Sequence, residues 1–465
     1  MLISEFGFAP VGQGLFSVGT VGEFCKPESF RWVYDCGTVS QRYHLHSAIN
    51  HLHRCWYFNE NRPRLDLLTI SHFDDDHVNG LETLLKKFDV QRLMIPYLPL
   101  WERIAAQAGQ TRYQSHAARR LALDPVATIA SMPYRPREIL LVSSSRERPP
   151  EFNFDTDAVP PRDGVGSGEL NVEYWEEAAD IPDRELQQEV VDYEGMQVRA
   201  LRPGGRLWLD NLWEFIPYND ATLSQVPSAD FLQSVNRARK NLLGETRDDE
   251  RGVLLKQLIA EYDCEFGYGS KPRNQISLFL YAGTICGNVK SICASQAVND
   301  KITFKAVEFG EQAGVQYTGD GYLNTDARLQ EFLSYFGKKR VDAVTCFQVM
   351  HHGAKGNWCE DFPVVVRPRF SVFSSDPKHK HSHPHVDVKN SVKKHQRFSA
   401  DLNSMSFFRI FVDGDRKQHA IKDLKERVSF YKANRWYFFD YRYYGFNKYP
   451  GFWDFTFCKS RRKKY

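Results

Sequence analysis

Residues 71–81 read SHFDDDHVNGL and crowd His72, Asp74, Asp76 and His77 onto one short turn. The residues before it, LDLLTIS at 65–71, read as a short buried strand. Those after it, VNGLETLLKKF at 78–88, read as an amphipathic helix with Leu81, Leu84 and Leu85 on one face. Polar, histidine-rich turns at the ends of strands are where α/β folds place their chemistry, so this segment constrains the architecture more than any other. Side chains at 72, 74 and 76 can converge on one side of an extended turn, while the adjacent His77 reaches a second point. Carboxylates and imidazoles at this density repel one another unless cations neutralise them. The plain alternative is a solvated acidic turn.

The remaining histidines favour the metal. Between His77 and His351 the only histidine is His116, yet His351, His352, His379, His381, His383 and His385 follow within a few dozen residues. They sit in VMHHGAKGN at 349–357 and KHKHSHPHVDV at 378–388, each just after an expected strand. Asp320, in YTGD at 317–320, follows another and could bridge two ions. Two-metal hydrolytic sites hold their ions roughly 3.5–4 Å apart, a spacing that one carboxylate spans.

Strand and helix patterns alternate along the chain. FRWVYD at 30–35 reads as a strand and 44–56 as a helix; strand character returns at 276–282, 314–318, 343–350 and 370–374. Residues 100–265 read as an insertion: helical, then an acidic loop, then helical again over 231–262. Within it, residues 150–195 hold 14 acids and two bases, a balance of −12, around a Pro/Gly/Ser-rich stretch. Residues 414–465 hold 14 bases and five acids, a balance of +9, and are rich in aromatics. The chain therefore divides into 1–99, the insertion 100–265, a second half at 266–398, and a basic aromatic extension at 399–465. The nine cysteines are scattered without a CxxC pair, which argues against a disulfide framework or zinc knuckle. No run approaches the ~18 apolar residues of a membrane span, and the first residues lack a secretory pattern. A cytoplasmic protein with no membrane partner is expected.

HFDDDH resembles the HxHxDH motif of the metallo-β-lactamase fold, with Asp74 in place of the second histidine. More specifically, the chain resembles the hydrolase domain of the ComEC family of DNA-uptake proteins, which also has aspartate there. Its landmarks occur in order: VGQGLFSV at 11–18, VYDCGT at 33–38, SHFDDDH at 71–77, NQISLFL at 274–280, YTGD at 317–320, HHGAKGN at 351–357 and HPHVDV at 383–388. The likeness covers about half of the chain, residues 5–90 and 270–395. There are departures: Leu15 stands where an acidic residue often follows GQG, and Ala354 where serine is usual after HHG. No histidine occupies the region of the family's third motif, and the family's membrane channel is absent.

The resemblance implies an αββα sandwich with two mainly antiparallel or mixed sheets. It also implies two divalent ions. His72 and Asp74 would hold one; Asp76 and His77 would hold the other, completed by His383, with Asp320 bridging. His385 is an alternate for His383, and Asp35 would orient the turn from behind. His352 and His351 would act in catalysis beside Asp76, facing the substrate, with Lys355 available to a phosphate; His379 and His381 read as exposed loop residues. Asp74 for imidazole favours manganese or magnesium, while the imidazoles keep zinc a candidate.

Such ions would present hydroxide for attack, so the expected function is a metal-dependent hydrolase, foremost a nuclease or phosphodiesterase. FYKANRWYFFDYRYYGFNKYPGFW at 430–453 could neutralise phosphates and stack on bases. It could equally be a packed hairpin over 428–457 with its aromatics in a core. The acidic stretch would repel phosphates, gate the basic tail, or dock a protein partner. Two alternatives stand beside the nuclease: a hydrolase of peptides, esters or lactones, and a partner-gated effector of a multi-gene system such as anti-phage defence.

Overall fold

The computed structural model describes residues 2–412 apart from 24–28, 57–60, 104–114, 152–169, 210–211, 221–227, 245–249, 266–276, 286–288, 299–300, 309–312, 381, 394–395 and scattered positions between 251 and 263. The aromatic segment at 428–457 and the basic C-terminus lie outside the described residues, as does the heart of the acidic stretch.

In chain order the first strands are β1 (Leu2–Phe8), β2 (Gly14–Glu23), β3 (Ser29–Thr38), β4 (Arg64–Thr69), β5 (Asp89–Pro96) and β6 (Glu138–Val142). Next come β7 (Leu170–Val172), β8 (Gln197–Ala200), β9 (Leu207–Leu209), β10 (Trp213–Tyr218), β11 (Phe279–Thr284) and β12 (Val289–Val298). The last are β13 (Lys301–Glu308), β14 (Gly314–Tyr317), β15 (Val344–Gln348), β16 (Phe370–Phe373), β17 (Arg397–Ser399) and β18 (Ser404–Val412). They form two mixed sheets, ordered β13-β12-β18-β1-β2-β3-β4-β5-β6-β8 and β17-β16-β15-β14-β11-β10-β9-β7. Each sheet is antiparallel on one side and parallel on the other. Parallel pairing runs from β3 to β8 in the first and from β14 to β17 in the second.

Three buried clusters define the layers. Between the sheets, Phe6, Trp32, Tyr34 and Leu140 of the first meet Phe215, Leu280, Val315 and Val372 of the second. The other face of the first sheet carries Val33 and Leu68, covered by helix α1 (Arg42–Trp56) through Leu45, Ile49 and Leu52. The other face of the second carries Phe279 and Phe347 under the helix Asp326–Ala343 through Phe332 and Phe336. Side chains alternate across a pleated strand, so apolar residues on both faces demand a cover on each side. The result is a helix–sheet–sheet–helix stack. Tyr34 stacks on Tyr317 between the sheets at 4.6 Å and 15°. Tyr34 also donates its hydroxyl to the Leu278 carbonyl at 2.6 Å, which locks the sheets together directly behind Asp35 and Asp320.

Three expectations need correction. Residues 100–265 are not set apart from the sheets: β6 and β8 extend the first, and β7, β9 and β10 build one side of the second. These strands are only three to six residues long, and apart from the β9–β10 pair their partners are distant in sequence, so periodicity alone did not reveal them. The C-terminal extension begins inside the fold, because β18 lies between β1 and β12 and pairs Phe408 with Phe6. The helix expected over 78–88 is two: α2 (Asp75–Val78) and α3 (Leu81–Lys87). The break falls at Gly80, where a Cβ would stand 2.6 Å from Cys36 Sγ on β3.

Candidate metal centre

The site forms where the carboxyl ends of parallel strands from the two sheets meet. β4 leads into the turn 70–77, β14 into Asp320, β15 into His351 and His352, and β16 into Ser374. The turn can rest on β3 because residue 37 is glycine: a Cβ there would lie 2.2 Å from the His77 nitrogen and 2.3 Å from the Asp76 carbonyl carbon.

Asp35 is fully buried and holds the left-handed conformation with φ 57°. One carboxylate oxygen accepts the Ser71 N–H at 2.7 Å; the other accepts the Ser71 hydroxyl and lies against His77 Nδ1, both at 2.7 Å. Asp75, in the middle of the DDD run, turns away from the histidines and accepts both the N–H and the hydroxyl of Ser115 at 2.6 Å. Its neighbours Asp74 and Asp76 face the site.

Four imidazoles have their Nδ1 atoms committed to protein acceptors. His77 Nδ1 donates to Asp35. His72 Nδ1 lies 2.9 Å from the Ser71 hydroxyl, which gives its own proton to Asp35 and so accepts. His352 Nδ1 donates to the Ser374 carbonyl at 2.5 Å. His351 Nδ1 lies 3.0 Å from Asn357 Oδ1; the Asn357 amide nitrogen donates to the carbonyls of Asp320 and Gly321, so its oxygen must accept. Each ring thereby carries its proton on Nδ1 and presents the Nε2 lone pair, which is how a metal-binding histidine is oriented.

Those lone pairs converge on carboxylates. Around Asp320 Oδ1 stand His77 Nε2 at 3.1 Å and His352 Nε2 at 3.7 Å, with Asp76 Oδ2 3.1 Å from His352 Nε2. Around Asp320 Oδ2 stand His351 Nε2 at 3.4 Å and His72 Nε2 at 3.8 Å, with Asp74 Oδ2 3.6 Å from His72 Nε2. One ligand atom from each of Asp76, His77, Asp320 and His352 falls within 4.8 Å of the others. Nitrogen or oxygen ligands about 2.0–2.2 Å from a common ion are spaced on this scale. His77 Nε2 and Asp320 Oδ1 are buried and make no hydrogen bond among the described residues, which a shared cation explains.

Electrostatics agree. Burial pushes the His77 imidazole down, but Asp320, Asp35 and Asp76 outweigh it and hold the group well above its ordinary range. His352 is likewise raised against its burial, mainly by Asp320 and Asp76. Burial pushes Asp320 up, yet His351, His77 and His352 take it well below the carboxylate range. This pocket demands positive charge, from protons or from a metal.

The structure thus gathers His72, Asp74, Asp76, His77, Asp320, His351 and His352. It brings His352, where His383 was expected, to Asp76: His352 lies four residues past the end of β15, and its left-handed backbone, φ 57°, turns the ring inward. His383 is half-buried with its ring 5.9 Å from that of His351. His385 faces its own helix, accepting the Asp387 N–H, and Lys355 is held at 2.6 Å by Asp387. His379 is half-buried and within electrostatic reach of Asp76 and His352; His381 lies outside the described residues. Sequence reasoning missed Ser71 and Asn357, although both stand inside motifs it singled out. Their role depends on which atoms they face. No protein-family model matches the sequence, and no curated protein matches it significantly.

Proposed function

We propose that the chain is a divalent-metal-dependent hydrolase of metallo-β-lactamase type that cleaves phosphodiesters, with nucleic acid as its substrate. The observation that carries this reading is the set of four imidazoles, each fixed by a protein acceptor on Nδ1 and aimed by Nε2 at Asp320, Asp76 or Asp74. Support for the fold type comes from the ordered motifs and the helix–sheet–sheet–helix layering; support for the substrate comes from the ComEC resemblance.

Asp76, His77, His352 and Asp320 Oδ1 would hold the ion. A bound divalent cation supplies Lewis acidity and lowers the pKa of water. The chain's own residues keep the ligands in one tautomer: Asp35 through His77, Ser71 through His72, and the Ser374 carbonyl through His352. His379 and His383 flank this cluster and are only half-buried. Imidazoles there can pair with a phosphate oxygen or pass a proton to a leaving group near neutral pH.

The test is a hydrolysis panel on the full chain with manganese, magnesium or zinc. Single- and double-stranded DNA, RNA, a chromogenic phosphodiester, a peptide and an ester are compared, beside Asp76→Ala. Metal-dependent cleavage of a nucleic acid, lost in the variant, is expected. Turnover of the peptide or ester alone sinks the substrate assignment, and a wild-type chain that binds no metal sinks the reading altogether.

A further inference from the structure

We propose that a single strand of nucleic acid leaving the candidate metal centre lies along the outward face of α1, held by donors at Arg42, His46, Asn50 and Arg54 and by a base stacked on Tyr43. The inference rests on the nucleic-acid reading above and adds what that reading leaves open: which surface carries the substrate, and whether its bases are paired.

The row of donors follows from helical geometry. Leu45, Ala48, Ile49, Leu52 and Trp56 turn into the core and so fix the opposite face of α1 towards solvent. Arg42, His46, Asn50 and Arg54 are all exposed there. Residues four apart stand one above the other on a helix, about 6 Å per step. Each of the four side chains donates hydrogen bonds, and the two arginines stay charged. The row spans about 18 Å, the length of roughly five nucleotides of one strand at about 3.4 Å each.

Charge selects the partner. From Cys36 to Asn59 the sequence carries no aspartate or glutamate, although 58 acids in 465 residues would place about three in a stretch of that length. A helix that only meets water mixes both signs, as Asp326–Ala343 does with Arg328, Lys338, Asp326 and Asp342. A face with cations and no acids fits a polyanion. Tyr43 selects the kind. Its ring is 61% exposed and stands edge-on to His44 at 5.7 Å. An exposed aromatic among phosphate-binding side chains suits unpaired bases, because each offers a π-face that a duplex keeps stacked inside.

The helix also begins at the candidate metal centre. Ser40, two residues before α1, accepts the Gln13 N–H at 3.0 Å and lies 3.4 Å from Asp376 Oδ2. The Asp376 carbonyl accepts the His379 N–H at 2.9 Å, and the His379 ring is within electrostatic reach of Asp76 and His352. Lys378 and Lys380 are exposed on the same loop. On the other side Asn79, two residues after His77, brackets Thr38 with hydrogen bonds of 2.7 and 3.2 Å. A strand with one phosphate beside Asp76 and His352 thus passes over this lip onto α1.

The experiment takes the full chain with manganese and a fluorescent oligothymidylate whose phosphorothioate linkages resist cleavage, and reads anisotropy over a series of salt concentrations. Arg42→Ala combined with Arg54→Ala should flatten the plot of log affinity against log salt by about 1.4, since each phosphate contact on a single strand contributes about 0.7. Tyr43→Ala should weaken binding about 5- to 150-fold, and Tyr43→Phe should restore it. Lys338→Ala combined with Lys339→Ala removes the same charge from the helix on the far sheet and should change neither reading. Unchanged affinity and slope in the α1 variants, in a chain that binds the strand, would overturn the proposal and leave the nuclease reading in place. Displacement of the strand by polyglutamate at equal charge, undiminished in Tyr43→Ala, would overturn it in favour of an acidic protein partner. A wild-type chain that binds no oligonucleotide would fell the nucleic-acid reading with it, which separates the failures.

Discussion

Replacing Asp35 with asparagine alters the group behind the candidate metal ligands while leaving the backbone content, since asparagine tolerates the observed φ of 57° as readily as aspartate. The carboxylate serves Ser71 N–H with one oxygen, and the Ser71 hydroxyl and His77 Nδ1 with the other. An amide has one oxygen. If that oxygen stays with Ser71 N–H, the NH₂ faces His77 Nδ1 and forces the proton to Nε2, where it meets Asp320 Oδ1 instead of an ion. If the amide flips, NH₂ opposes the Ser71 N–H in a buried site. Loss of such an outer partner typically weakens metal binding by about 10–100-fold, or roughly 1.4–2.7 kcal/mol. Calorimetric manganese titration in the presence of a competing chelator measures this, with circular dichroism as the check on folding. Asp75→Asn is the control: it loosens the Ser115 clamp but touches no histidine, so its affinity should stay near wild type. Equal affinities for wild type and Asp35→Asn, or equal losses in both variants, would refute the reasoning.

Three more outcomes follow from the same structure. Gly37→Ala drives a methyl into the Asp76–His77 backbone; it should cost about 1–3 kcal/mol in urea unfolding and weaken metal binding together, and loss of stability with intact binding would contradict the placement. Arg340 and Glu214 form a buried bidentate pair at 2.7 and 3.0 Å, so Arg340→Met alone should cost about 3–5 kcal/mol, while the double variant with Glu214→Leu should recover much of it; additive losses would deny the coupling. Burial, with Glu185 nearby, pushes the Glu102 carboxyl up from 4.5 to about 7. Its folded state therefore binds the proton more tightly than the unfolded chain, and about 3 kcal/mol of stability should be lost as pH rises from 4.5 to 7. Glu102→Gln should accordingly stabilise the protein at pH 8 much more than at pH 5, and an equal effect at both would count against the shift.

The turn at 71–77 was legible because its information is local. Its histidines and aspartates lie within seven residues, the strand before it and the helix after it carry their own apolar patterns, and the helix at 42–56 has its buried residues at helical spacing. Charge density alone called for cations there. The short strands between 138 and 218 carry no such signal, because a run such as LWL is a strand only through the partner it meets.

The amino-acid sequence by itself determined that histidines and aspartates occur in turns after strands, in numbers that need positive charge, and that the chain alternates strands with helices. Only the tertiary structure decided which of these residues come together. His352 and His383 are both histidines after strands, indistinguishable by spacing, but one stands 3.1 Å from Asp76 and the other meets the His351 ring edge-on at 5.9 Å. The three consecutive aspartates are likewise equivalent in one dimension; folding sends Asp74 and Asp76 to the histidines and Asp75 to Ser115. A ligand set depends on distances of a few ångströms between residues hundreds of positions apart. Those distances are set by the Tyr34–Tyr317 stack, by Gly37 and by the left-handed turn at His351–His352, none of which has a periodicity to read.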